Sequence, residues 1–282
     1  MSVLVTGANG QLGLCLQAIS ANFKSIVKFK TSSELDVTNI EALTEYFKTE
    51  QPKYCINCAA YTNVEAAEEE TKKANEVNYL AVRNLAQLCK QYNCVLIHIS
   101  TDYVFNGQKQ TPYLETDTTQ PINVYGLSKL NGEKAIQTSG CHHFIIRTSW
   151  LYSQYNKNFF NFVKSQIEAK TEEITITTEQ IGTPTNANDL AEFICYLVNS
   201  ESKKYGLYHF SNEGELTWYD FSLKIKQLYN SDIKITPIEN FKTIAKRPPY
   251  SVLSKDKLKQ NFRGFYLKKW DESLADLIKK IG

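Results

Sequence analysis

The chain has 282 residues, 42% of them hydrophobic and 22% charged, an ordinary globular composition with room for one large α/β domain or two modest ones. A formal net charge of only +2 argues against a nucleic-acid-binding or membrane-surface protein. The first glycines arrive after six residues, and no apolar run approaches the roughly 20 residues needed to span a bilayer, so neither signal peptide nor anchor is expected and a cytoplasmic location is.

Short apolar runs alternate with helical patterns along the first half: SVLVTG, SIVKFK, YCIN, CVLIHIS and HFIIRTS read as strands separated by amphipathic segments. That rhythm predicts βαβ units and a Rossmann-type, doubly wound parallel sheet. The first strand runs into VTGANGQLG, where Gly7, Gly10 and Gly13 open a helix. Glycines there let the backbone approach a pyrophosphate, whose charge suits the unpaired N–H groups of a helix N-terminus. The second strand ends in FKTSS, with Lys30, Ser32 and Ser33 and no carboxylate before Glu34. Such an end can accept a 2′-phosphate, which favours NADPH over NADH. Asp36, further on in LDVT, is better placed for the adenine edge. Thr38 and Glu41 have the spacing of a capping box.

Cys55 and Cys58 form a C-x-x-C, but within a strand and with no second ligand pair, so they read as buried small hydrophobes on opposite faces. Seven scattered cysteines fit reduced thiols better than a disulfide framework. The helix predicted from Thr71 to Tyr92 repeats Val77, Leu80, Ala81, Leu85 and Leu88 on one face. The acids Glu68 to Glu70 beside Lys72 and Lys73 read as a solvated helix face.

The strand HISTDYVFNG ends at Thr101, where ligands gather in an α/β sheet. The next helix, YGLSK, stacks Tyr125 and Lys129 on one face. Beside a bound nicotinamide this pair suits ketone reduction: Tyr125 protonates the oxygen that receives charge and Thr101 hydrogen-bonds it. Lys129 is expected to lower the tyrosine's pKa and to hold the nicotinamide ribose. After about residue 150 the rhythm loosens into turn-rich, aromatic segments, as expected of a smaller α/β substrate-binding domain. The expected division is 1–168, returning at about 190–210, for the cofactor domain, with 169–189 and 211–282 for the second.

Together these motifs resemble the extended short-chain dehydrogenase/reductase superfamily and, within it, the dTDP-4-dehydrorhamnose reductase family. The likeness runs nearly end to end, through NCAAYTNVEAAE, STDYVFNG, YGLSKLNGEKAI, IRTSWLY, GTPTNANDLA, YHFSNEG and RPPYSVLSKDKL. STDYVF and RTSWLY are the more specific. The resemblance implies NADPH-dependent reduction of a C4 keto group in dTDP-4-dehydro-β-L-rhamnose, giving dTDP-L-rhamnose for surface polysaccharide. It assigns the cofactor to Gly7, Asn9, Gly10, Gln11, Leu12, Gly13, Asp36, Val37, Ala59, Ala60, Tyr61 and Thr62 with Tyr125 and Lys129. It assigns the sugar nucleotide to Thr101, Asp102, Tyr103, Phe105 and Trp150, of which Tyr103 and Trp150 could instead be packed interface aromatics.

Some positions depart from the family pattern. EQIGTPTNA carries Glu179 and Asn186, and Cys15 stands where some members place a glutamate that bridges a dimer through magnesium. A thiol is a poor magnesium ligand, so metal-bridged dimerisation is not expected, while NADH, a magnesium ion and a homodimer stay open. Arg247 is a candidate for the diphosphate or for a structural role. A 4,6-dehydratase would want Asp-Glu after Thr101, and Asp102 is followed by Tyr103. A 4-epimerase, a reductase with the other C4 stereochemistry and a non-catalytic regulatory subunit of the methionine adenosyltransferase type are the alternatives.

Overall fold

Val3 and Val5 of the first strand, β1 (Ser2–Thr6), face one side of the molecule and Leu4 the other. Both sides are apolar because helices cover both, as a parallel sheet requires. The computed structural model describes residues 2–239 and 242–282. After β1 come α1 (Gln11–Ala18), β2 (Ile26–Lys30), α2 (Ile40–Glu50) and β3 (Tyr54–Asn57). They are followed by α3 (Val64–Glu69), α4 (Thr71–Asn75), α5 (Ala81–Gln91), β4 (Val95–Thr101), α6 (Val124–Ser139) and β5 (His143–Thr148). The central sheet runs β2-β1-β3-β4-β5 and ends on the strand Gly206–His209. Every pairing in it is parallel. The order reverses between β1 and β3, which opens a crevice at their carboxyl ends.

One core lies between the sheet and α1 with the helix Ala187–Asn199; the other lies between the sheet and α2, α5 and α6. Cys55 belongs to the second and Cys58 packs against the first, so the C-x-x-C is split across the sheet as its strand setting predicted. A further cluster joins Tyr152, Phe160, Val163, Leu216, Phe221, Leu274 and Leu277. Phe160 and Val163 thereby side with the second half of the chain, before the expected boundary at 168. Leu258, Phe262 and Leu267 return to the sheet's own core. Hydrophobic spacing marks helices but not which core a late helix joins.

Three local expectations change. Asn39, rather than Thr38, caps α2 by accepting from Ala42 N–H at 3.0 Å, and Thr38 bonds to Asp36 instead. The helix expected over 71–92 is interrupted by a π-turn, Glu76–Leu80. Its buried Asn78 donates to Tyr61 O (3.0 Å) and to Ser128 Oγ (3.0 Å), and accepts from Tyr61 N–H at 2.9 Å. Such turns re-aim a side chain at the cost of helical regularity. Glu68 is not merely solvated: it accepts from Val124 N–H at 2.9 Å, closing the first turn of α6.

Candidate active site

The glycine loop takes its shape from contact. Gly7 sits at φ +64, and a Cβ there would lie 2.6 Å from the Ala59 nitrogen, so only glycine lets β1 turn this close to the segment after β3. Gly10 then caps α1, and Gly10, Gln11 and Leu12 line a cavity of about 620 Å³ at the crevice. The same cavity is lined by Ala59, Ala60 and Thr62 after β3, by Thr101, Tyr125 and Lys129, and by Asp102, Tyr103 and Trp150. A pyrophosphate at the α1 N-terminus and a nicotinamide against Tyr125 fit this donor set and this close-pressed loop.

The expected cofactor residues divide accordingly. Gly7 and Asn9 in the loop and Gly13 in the first turn of α1 do not line the cavity, and the Tyr61 hydroxyl is turned to Glu70 at 2.7 Å. Asp36 is exposed and accepts from Thr38 N–H, while Val37 is buried in the core. Glu34 folds back to accept from Thr31 N–H and its hydroxyl, both at 2.8 Å. Burial pushes the Cys15 thiol up to about 12. Among the described residues no group of three His, Cys, Asp or Glu side chains could hold a metal ion, and no helix is long and apolar enough to cross a membrane.

Tyr125 and Lys129 share one face of α6. Asn123 caps the helix by accepting from Gly126 N–H at 2.7 Å. A Cβ on Gly126 would meet Tyr103 O at 2.2 Å, so the helix lies directly against the turn after β4. Tyr103 meets the Tyr125 ring edge-on at 5.9 Å between centroids. Lys129 is 2% exposed and donates to Ile99 O at 2.6 Å; burial lowers its pKa to about 8, against the pull of Glu133 and Cys58. The sequence led us to expect a tyrosine below its usual value. Instead burial raises Tyr125 above 10, with the Thr101 hydroxyl opposing and Asp102 and Tyr103 reinforcing. In this pocket desolvation outweighs the ammonium's reach.

Thr101 is wired more tightly than expected. Its oxygen accepts from Tyr103 N–H at 3.1 Å and its one proton goes to Asp102 Oδ1 at 3.0 Å. Asp102 is 2% exposed, and its Oδ2 has no hydrogen-bond partner. Burial holds this carboxyl up at about 6, against the pull of Ser251 and Thr101.

Trp150, which also lines the cavity, takes a left-handed φ of +47 and stacks on Trp218 at 3.6 Å. Trp218, outside the expected site residues, lines both this cavity and a neighbouring apolar groove of about 630 Å³ that Phe159, Phe162 and Ile176 also line. Phe105 leaves the expected sugar set: it is 0% exposed, stacked on Tyr113 at 4.1 Å and outside the cavity lining. Arg247 lines the cavity and pairs with Glu65 at 2.7 Å, while its Nε has no partner. Asn186 is structural, capping the helix Ala187–Asn199 and donating to Ser273.

Also missed were Glu133 and Arg147. Glu133 extends the Tyr125–Lys129 face by one more turn, the one signal that could have exposed it. Its carboxylate accepts from Arg147 Nε at 2.9 Å and Nη2 at 2.7 Å, both residues being nearly inaccessible.

A doubly wound sheet with a glycine loop at its switch point and a Tyr-Lys helix beside a strand-end Thr defines a dinucleotide-dependent oxidoreductase of the short-chain dehydrogenase/reductase type. The family model described as "RmlD substrate binding domain" matches residues 1–282. A dTDP-4-dehydrorhamnose reductase of Aggregatibacter actinomycetemcomitans is 36% identical, over 98% of this chain and 97% of that protein. The Escherichia coli K12 reductase is 33% identical over 100% and 98%. Among solved structures, a dTDP-4-dehydrorhamnose reductase from Clostridium acetobutylicum superposes with a TM-score of 0.94 at 35% identity, covering 100% of this chain and 99% of that one. The Bacillus anthracis reductase in complex with NADP also gives 0.94 at 35%, covering 99% of each. The chain belongs to the dTDP-4-dehydrorhamnose reductase family.

Proposed function

We propose that this protein reduces the C4 keto group of dTDP-4-dehydro-β-L-rhamnose to give dTDP-L-rhamnose, a precursor of surface polysaccharide, and works in the cytoplasm. The observation that carries the reading is the convergence of Tyr125, Thr101 and Lys129 on one cavity that Gly10, Gln11 and Leu12 also line. NADPH, when bound, supplies the hydride. Tyr125 is the general acid: its raised pKa keeps the phenol protonated at neutral pH, the form needed to give a proton to the C4 oxygen. Thr101 meets the same oxygen once its hydroxyl turns from Asp102. Arg247, with an unpaired Nε, receives the diphosphate. The cofactor half is formed by the sheet up to β5, and the sugar nucleotide is held by the aromatic cluster of the later chain.

Support comes also from the relatives named for this activity. The test is loss of NADPH absorbance with freshly generated substrate, followed by NMR identification of the product sugar. No oxidation, with cofactor still bound, would overturn the reading. A second reading, reduction of dTDP-4-keto-6-deoxy-D-glucose, is favoured by a Streptomyces niveus reductase of that name, 35% identical over 90% of this chain and 88% of that protein. Offering that sugar as substrate separates the two, because the stereochemistry at C3 and C5 differs and the site would turn over one much faster.

A further inference from the structure

A polar row crosses the α6 face of the sheet. Thr6, Asn57 and His98 are successive register partners on β1, β3 and β4, and all are buried, none more than 2% exposed. The direction of its hydrogen bonds is fixed at one end. The Ala59 main-chain N–H donates to Asn57 Oδ1 at 3.2 Å, and the Thr6 hydroxyl donates to the same oxygen at 2.7 Å. A main-chain N–H can only donate, so the amide has its oxygen there and turns Nδ2 to His98 Nδ1, 3.1 Å away. That amide nitrogen is also donor only, so Nδ1 must carry a lone pair. Burial and Lys129 together keep the ring neutral, and its single proton therefore resides on Nε2. Nε2 faces Lys129 Nζ at 3.4 Å.

An ammonium offers this N–H another donor, whereas an uncharged amine offers it a lone pair. We propose that His98 is a positioning residue whose Nε2–H stabilises the neutral amine of Lys129, so that Lys129 can return a proton to the Tyr125 phenolate after each turnover. In that step one N–H bond of Lys129 breaks, the phenolic O–H re-forms, and the new amine lone pair accepts from His98; solvent later restores the ammonium, and no electrons move. The other groups facing Lys129 work against this: Glu133, one turn along α6, and Cys58, beyond β3, both favour the charged form. Tyr125 is the titratable group one turn back on the same face. The turnover part of the inference rests on the reductase reading; the tautomer and the lysine titration do not.

The tests use the complete, ligand-free protein. ¹⁵N-histidine NMR of the parent, with the His98 signal assigned through folded His98→Gln, should find the proton on Nε2; finding it on Nδ1 overturns the proposal. ¹³Cε-lysine NMR, with the signal assigned through Lys129→Met, should then show the Lys129 titration moving up by about one pH unit in His98→Phe, a roughly tenfold tighter hold on its proton. An unchanged titration in folded His98→Phe overturns it too. With substrate, kcat should fall about tenfold in His98→Phe at unchanged KM, the split expected when proton return rather than binding is impaired. Intact NMR behaviour without turnover would remove the reductase reading alone.

Discussion

Glu133 offers the sharpest test of how the site is held. Its carboxylate and the Arg147 guanidinium are 1% and 3% exposed and joined by two charge-assisted bonds, with the Ser100 hydroxyl also donating to Glu133 Oε1. Replacing Glu133 by Ala leaves Arg147 against the Phe105 ring, 5.1 Å from its centroid, with the His209 ring nitrogen at 3.5 Å as a remaining acceptor. An uncompensated buried charge of this kind costs about 3–5 kcal/mol, or roughly 10 °C in melting temperature for a chain of this length. Removing both charges, Glu133→Leu with Arg147→Met, should recover most of that loss, because the desolvation of two ions disappears with their attraction. Urea unfolding at constant slope is the assay. A single-variant cost below about 1 kcal/mol would mean that Arg147 finds water or another acceptor, and that the pair does not brace the strand end.

Tyr125→Phe keeps the ring and removes the proton, so turnover should fall by about 10² to 10⁴ with the fold and NADPH binding intact; a normal rate would end the acid assignment. Asp102→Asn should stabilise the protein at pH 8. A carboxyl that titrates at about 6 when folded and near 3.9 when unfolded binds more protons in the native state between those values, so stability falls as pH rises through that window, by about 3 kcal/mol. The difference between parent and variant melts should therefore grow from about pH 4 to pH 6 and level off above it, and a difference that does not change across that window would refute the burial argument. Gly182→Ala places a Cβ within 2.6 to 2.8 Å of the Trp150 indole. It should raise the sugar-nucleotide KM about tenfold, roughly 1.4 kcal/mol, while leaving NADPH affinity unchanged by fluorescence titration; an unaltered KM would remove Trp150 from the sugar contacts.

The strands and the chemistry at their ends were legible because both are local. Alternating apolar runs mark a sheet buried on two sides, and Tyr125 and Lys129 are placed on one face by helix geometry alone. What could not be read depends on contacts between distant segments. Glu68 looks like any surface acid until α3 is packed beside the N-terminus of α6, and Asn78 looks like a weak helix residue until the π-turn aims it at Tyr61. Phe105 shares a specific motif with Thr101 and Asp102, yet it follows the 3-10 turn Asp102–Val104 and packs in the core with Tyr113. The direction of the Tyr125 shift was misjudged for a related reason: a neighbouring cation is visible in sequence, whereas the exclusion of water from a cavity is not.

The face of α6 that carries the reaction is a graded series of charges. Tyr125 is neutral at the cavity, Lys129 is marginal one turn down, and Glu133 is paired with Arg147 one turn further. A lone buried ammonium in the middle of such a helix would be expelled or neutralised. Glu133 and Cys58 favour its charge, but burial prevails, leaving its pKa at about 8. A lysine poised near working pH can carry charge towards a phenolate and still release a proton to it, which a solvent-exposed lysine near 10 does poorly. The Glu133–Arg147 pair ties α6 to β5 one turn beyond the lysine, so the helix face that carries Tyr125 and Lys129 is anchored to the sheet.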